Sequence, residues 1–173
     1  MENIKTLQVV GFKNSGKTTT MLRFIELAQK ARKKVAAIKH HGHGGKPELP
    51  VAETDSMQFL EKGAAGSLVY GEGLVQLHLQ EQQEDLEKFI RFTLLADPDF
   101  ILIEGFKQAG YPKIVMVRNL EDWQALKNLA DIRLAIVHKG IELDMAESVE
   151  LDDQAGIDRF FTEWMEGEKD ESI

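Results

Sequence analysis

Short apolar runs recur along this chain, and segments with helical spacing separate them. Leu7-Gln8-Val9-Val10 is the first run, and Val35-Ala36-Ala37-Ile38, Phe100-Ile101-Leu102-Ile103, Lys113 to Val117 and Leu134 to Val137 follow. The Val35–Ile38 run is continuously apolar, the pattern of a parallel strand covered on both faces. Between the runs, Thr19 to Ala31 places Met21, Leu22, Ile25, Leu27 and Ala28 near helical spacing, and Glu84 to Ala96 does the same with Leu86, Phe89, Ile90, Phe92 and Leu94 before Asp97-Pro98 stops it. Shorter helices are expected from Thr54 or Asp55 to Lys62 and from Glu121 to Leu129, and a last one from Asp152 or Asp153 to about Met165. Gly66 to Tyr70 and Leu74 to Leu79 flank Gly71-Glu72-Gly73 and read as a hairpin, its second arm alternating apolar and polar. Strands alternating with helices predict an α/β fold: a mostly parallel sheet flanked by helices in three layers, with the hairpin as an antiparallel departure. Residues 1–165 read as a single domain and 166–173 as an acidic tail.

The first strand runs into Gly11-Phe12-Lys13-Asn14-Ser15-Gly16-Lys17-Thr18, which spells G-x-x-x-x-G-K-[ST]. A strand, a glycine-rich turn and a helix start make up a P-loop, the phosphate-binding element of nucleoside triphosphatases. Main-chain N–H groups of the turn converge on an anion, and the first turn of the helix adds unpaired donors and a positive dipole end. Residues Gly11 to Thr18, with Thr19 following, form the expected phosphate site, with Lys17 reaching the β- and γ-phosphates and the Thr18 hydroxyl a ligand for Mg²⁺. Lys13 lies one position later than the extra lysine of the deviant K-G-G-x-x-G-K-[ST] turn, where this chain has Phe12, and it is not given that lysine's role.

Four apolar residues and then an acid, Phe100 to Glu104, have the form of a Walker B strand. Glu104 stands where aspartate is usual; it is expected to bind Mg²⁺ or to orient the attacking water. Asp55 follows the loop after the second strand, where a carboxylate could hold a metal-bound water or simply cap a helix. Gly105 allows a sharp turn off the Glu104 strand, and Lys107 beyond it suits either phosphate steering or a solvated surface. His40, His41 and His43 crowd a glycine-rich loop, His40 to Pro50, which is compatible with a metal site, contact with a phosphate-bearing group, or a solvated loop. No N-K-x-D tetrapeptide occurs, so spacing does not choose guanine over adenine.

Composition narrows the rest. With no cysteine, disulfides and thiolate chemistry are excluded. A net charge of −8 argues against broad nucleic-acid binding. The chain carries no apolar run of membrane-spanning length and no signal-peptide pattern at its start, so a cytoplasmic, membrane-free location is expected. Small-molecule kinases share the phosphate turn but take arginines from a lid, and no arginine falls between Arg32 and Arg91. A metallochaperone GTPase has only the histidine cluster in its favour. Arg118 and Arg133 sit in strand contexts, which leaves no evident arginine finger in cis.

The phosphate turn with its second threonine, the Lys39-His40 strand end, Thr54-Asp55-Ser56 leading to Lys62-Gly63-Ala64, and Ile103-Glu104-Gly105-Phe106-Lys107 together resemble the MobB family, the molybdopterin-guanine dinucleotide biosynthesis adapter proteins. The match runs in order through Pro112-Lys113-Ile114. The resemblance implies a GTP-binding homodimer with weak GTPase activity that helps a MobA-type guanylyltransferase attach GMP to molybdopterin. It also implies Mg²⁺ at a site formed by Thr18, Asp55 and Glu104, and catalytic roles for Lys17, Glu104 and Asp55. The histidine-rich loop departs from the more acidic loops of relatives.

Overall fold

The computed structural model of the chain describes residues 4–42, 47–52, 54–144 and 147–167. Its contacts divide the chain into two compact units, residues 1–40 with 86–173 and residues 41–85.

The first unit holds a six-stranded sheet built from β1 (Lys5–Gly11), β2 (Val35–Lys39), β5 (Phe100–Glu104), β6 (Lys113–Val117), β7 (Ile132–Val137) and β8 (Ser148–Glu150). Its order is β2-β5-β1-β6-β7-β8, and every pair in it is parallel. Strand side chains alternate between faces, and the sequence supplies apolar residues to both. Leu7, Val9, Phe100, Leu102, Ile114, Met116, Leu134 and Ile136 pack on one face with Phe24 of α1 (Lys17–Lys30) and Phe161 of α5 (Gln154–Glu166). The Phe24 and Phe161 rings stack at 4.1 Å. On the other face, Ile101 and Ile103 meet Ile90 of α3 (Leu86–Thr93), and Val10, Val115 and Val117 meet Trp123 and Leu126 of α4 (Leu120–Leu126). This is the three-layer, mostly parallel α/β arrangement that the alternating pattern predicts.

Besides shifts of one or two residues at the ends of other elements, three differences from the sequence expectation have a local reason. The expected Glu84–Ala96 helix starts at Leu86 and passes into a 3₁₀ turn over Leu94–Ala96, closed by Asp97 at φ 50°. Helix α4 stops at Leu126 rather than Leu129; its start is set by Asn119, whose side chain accepts from the Asp122 N–H. Strand β8 is absent from the sequence reading, because Ser148-Val149-Glu150 offers a single apolar residue at the sheet edge.

The second unit contains α2 (Asp55–Glu61) and the antiparallel pair β3 (Gly66–Gly71) and β4 (Leu74–Leu79), the hairpin read from the sequence. Among the described residues no helix is long and apolar enough to cross a membrane.

Candidate phosphate-binding site

Four neighbouring strands of the first unit end side by side, and each delivers one element of the site. In sheet order, β2 delivers Lys39, β5 delivers Glu104, β1 runs into the glycine-rich turn at Gly11, and β6 leads to Arg118. Lys39 lies in register with Glu104, and Gly11 with Met116. Ligands of open α/β sheets bind at these carboxyl ends.

The turn itself needs glycine at two places. A Cβ on Gly11 would lie 2.7 Å from Ser15 Oγ and 2.9 Å from Met116 Cβ, too close for any side chain. Gly16, immediately before α1, adopts φ 95°, a left-handed conformation that favours glycine. Asn14 also has positive φ, 59°, which asparagine tolerates better than most residues. Ser15 is buried, and its hydroxyl has no partner among the described residues.

Lys17, at the start of α1, folds back over the turn and donates to the Phe12 carbonyl at 2.6 Å. Burial lowers its pKa below the ordinary 10.5; nearby Glu104 opposes that shift, while the positive charges of Lys107, Lys39 and Arg118 reinforce it. A site that gathers four cations around one turn favours a multiply charged anion. One helical position on, the Thr18 hydroxyl donates to Glu104 Oε2 at 3.0 Å. The other carboxylate oxygen, Oε1, accepts from Lys39 Nζ at 2.5 Å, and the same ammonium lies 3.3 Å from Thr18 Oγ1. Glu104 is buried, and these hydrogen bonds offset the loss of water around its carboxylate. Thr19 is exposed on the first turn of α1.

Glu104 is held by the backbone behind it. The chain turns off β5 through Gly105 at φ 94° and Phe106 at φ 52°. Gly105 N–H donates to the Val9 carbonyl, and the buried Gln8 side chain donates to the carbonyls of Gly105 and Phe106 at 3.0 Å each. A Cβ on Gly105 would lie 2.8 Å from His40 Cβ, which explains the glycine by close approach as well as by dihedral. Gln8, read from the sequence as one member of an apolar run, is thus the residue that pins this turn.

Lys107 follows the turn, its Nζ 3.9 Å from the centroid of the Phe12 ring, and burial lowers its pKa. Arg118 faces the same ring, its Cζ 5.7 Å from the centroid. It donates to the Lys13 carbonyl at 2.9 Å and is fixed by a two-pronged pair with buried Asp122, at 2.7 and 2.9 Å. β6 ends at Val117, as the sequence predicts, and Arg118, in that strand context, is the first residue beyond it, at the phosphate turn. Arg133 does lie within β7 and pairs with Asp131.

Asp55 opens α2 in the second unit and is described with that unit, after Thr54 as its cap. His43 lies outside the described residues. His40 continues the β2–β5 pairing, its N–H donating to the Glu104 carbonyl, and its ring tilts against Phe106 at 4.7 Å. Among the described residues no group of three His, Cys, Asp or Glu side chains is arranged to hold a metal. A Thr hydroxyl and a carboxylate beside a phosphate turn nevertheless suit Mg²⁺, and the ammonium between them shows that a cation is accommodated there.

The fold and the turn define a P-loop α/β protein. The family model described as "Molybdopterin guanine dinucleotide synthesis protein B" matches residues 6–139. A probable molybdopterin-guanine dinucleotide biosynthesis adapter protein of Bacillus subtilis is 40% identical over 121 residues, 70% of this chain and 69% of that one. The Escherichia coli adapter protein is 25% identical over 167 residues, 94% of each. Among solved structures, Bacillus subtilis MobB superposes with a TM-score of 0.79 at 35% identity, covering 91% of this chain and 96% of that one. A MobB homologue from Bacillus stearothermophilus gives 0.76 at 32%, covering 92% and 97%. This chain belongs to the MobB family.

Proposed function

We propose that this protein is a cytoplasmic GTP-binding adapter for the assembly of the molybdopterin guanine dinucleotide cofactor. The observation that carries the reading is the convergence of Lys17, Thr18 and Glu104 at one glycine-rich turn, in a chain whose relatives are named as adapters for that pathway. The Lys17 ammonium, now on the Phe12 carbonyl, and the N–H groups at the start of α1 would hold the triphosphate. Thr18 and Glu104 would hold Mg²⁺, which when bound neutralises charge on the β- and γ-oxygens. Lys107 and Arg118 add positive charge on the Phe12 side. Arg118 is already committed to Asp122 and to Lys13, so it supports the turn rather than reaching toward a γ-phosphate; slow hydrolysis follows. The nucleotide-loaded form is what a MobA-type guanylyltransferase would recognise while it joins GMP to molybdopterin.

A homodimer belongs to the same proposal. In the second unit, Leu68, Tyr70, Val75 and Leu77 stand on one face of the hairpin and are all exposed. A two-stranded hairpin is marginal by itself, and an apolar face of this kind suits burial against a second copy.

Calorimetric titration with GTP or ATP and Mg²⁺, combined with a phosphate-release assay, tests the reading. Preferential GTP binding with slow release is expected. Rapid phosphoryl transfer to a small-molecule acceptor would make the protein a kinase instead, and absence of binding to both nucleotides would end the proposal.

A further inference from the structure

The Lys39 ammonium occupies the place that the adapter reading gives to the metal ion. Its Nζ lies 2.5 Å from Glu104 Oε1 and 3.3 Å from Thr18 Oγ1, and these are the two groups assigned to Mg²⁺. Two cations cannot share that carboxylate oxygen and hydroxyl at bonding distance, because their repulsion adds to the loss of ligands. The partners differ in freedom. The Glu104 side chain is 9% exposed and held by the Gly105 turn, whereas the Lys39 side chain is 59% exposed at the last position of β2. Lys39 is therefore the partner that can move. A lysine stem has four rotatable bonds, and an exposed one gains rotamer freedom when its ammonium leaves.

We infer that Lys39 is a built-in competitor for the metal position, holding Glu104 neutralised until a divalent cation arrives with a triphosphate. This rests on the adapter reading for the identity of the incoming ligand, but the competition itself rests only on the three side chains. It has two consequences of opposite sign. Without nucleotide, Lys39 opposes metal binding. Without metal, Lys39 stays beside Thr18 and its charge assists phosphate binding. Loading of Mg²⁺ and triphosphate together releases Lys39, and with it the side-chain tie at the point where β2 gives way to His40.

The test uses the full chain free of nucleotide and Mn²⁺ as the probe, with free Mn²⁺ followed by its electron paramagnetic resonance signal. Lys39→Met is expected to bind Mn²⁺ about tenfold more tightly than wild type, the scale of one partly exposed charge pair removed. Lys39→Arg keeps the charge and should keep the weak wild-type affinity. In EDTA, Lys39→Met should bind GTP several-fold more weakly than wild type. Lys39→Gln gives an independent measurement if the methionine variant folds poorly. Equal Mn²⁺ affinity in Lys39→Met and wild type overturns the inference. So does a Lys39→Met, Glu104→Gln double variant that binds Mn²⁺ as tightly as Lys39→Met. If no form binds GTP yet Lys39→Met still tightens Mn²⁺ binding, the adapter reading falls and the competition stands.

Discussion

The Arg118 guanidinium donates to the Lys13 carbonyl at 2.9 Å, tying the residue after β6 to a turn 105 positions earlier. Asp122 fixes the guanidinium from the other side with two more hydrogen bonds. The phosphate turn is thus braced from α4 as well as from its own helix. Replacing Arg118 with Ala removes the brace and one positive charge. Nucleotide affinity should fall by about 1–2 kcal/mol, the range of a charge-assisted hydrogen bond. Calorimetry with GDP and GTP measures it, and an unchanged dissociation constant would separate Arg118 from the turn's geometry. A lysine in its place cannot reproduce the planar fork, so Arg118→Lys should recover only part of the loss.

The same pair makes a pH prediction. Hydrogen bonds from Arg118 hold the Asp122 carboxyl below its ordinary value of 3.8. A carboxylate whose folded pKa is depressed contributes stability above its unfolded pKa and loses it as pH falls through the folded one. The contribution of Asp122 is therefore complete above about pH 4 to 5 and disappears in the acid range below. Thermal melts of wild type and Asp122→Asn should differ near neutrality and converge at acid pH. Parallel curves throughout would contradict the assignment.

Lys17 supports a prediction in the alkaline range. Its pKa lies below 10.5 because burial and three neighbouring cations penalise the charged form. Only the ammonium attracts phosphate, so affinity should decline as pH rises through that lowered value, earlier than for an ordinary lysine. Lys17→Ala should cost about 1.5–3 kcal/mol of binding at neutral pH and flatten the alkaline decline. Retention of the decline in Lys17→Ala would assign it to another group.

The strands were legible because a parallel sheet buries both faces, so Phe100 to Ile103 carries no polar interruption to confuse with a surface strand. The phosphate turn was legible because its chemistry is local: eight consecutive residues carry it. Gln8, Lys39 and Arg118 were not, for a shared reason. Their roles depend on which strand lies beside which, with β5 inserted between β1 and β2 and β6 on the far side of β1. Gln8 in an apolar run looks like a flaw until Gly105 and Phe106 present carbonyls to it. Arg118, one position past the Lys113–Val117 run, shows no role until Lys13 and Asp122 lie beside it. Spacing reports neighbours along the chain, and these contacts lie across it.

Lys113 extends that lesson to stability. Read as the start of a strand, it is fully buried, and its ammonium donates to the carbonyls of Ala109, Tyr111 and Ala130 at 2.9, 2.7 and 2.6 Å. It fastens the segment that links the Glu104 turn to β6. Lys113→Ala strands three carbonyls and leaves a cavity, so a loss of about 2–4 kcal/mol is expected in chemical denaturation. Lys113→Met refills the volume without the donors and should recover only a part. A loss under about 1 kcal/mol for Lys113→Ala would mean that water replaces the ammonium at little cost.

Leu68 with Leu77 and Tyr70 with Val75 occupy one face of the hairpin, exposed by 43 to 70%, while Ser67 and His78 face each other on the other, where Val69 and Leu74 are exposed as well. A solvated sheet face normally carries the polar set, and the four apolar side chains of the Leu68 face are the contact that the proposed dimer would bury. If a second copy covers this face, Tyr70→Glu combined with Leu77→Glu places two charges in an apolar contact. Fully burying each original side chain is worth about 1.5–3 kcal/mol, so the dimer dissociation constant should rise by about a hundredfold or more. Because Tyr70 and Leu77 are also cross-strand partners of Val75 and Leu68, circular dichroism of the double variant checks that the monomer stays folded. Sedimentation velocity across a concentration series reads the outcome: a wild-type dimer and a monomeric double variant are expected, and a wild type that sediments as a monomer at every concentration would remove the dimer from the proposal.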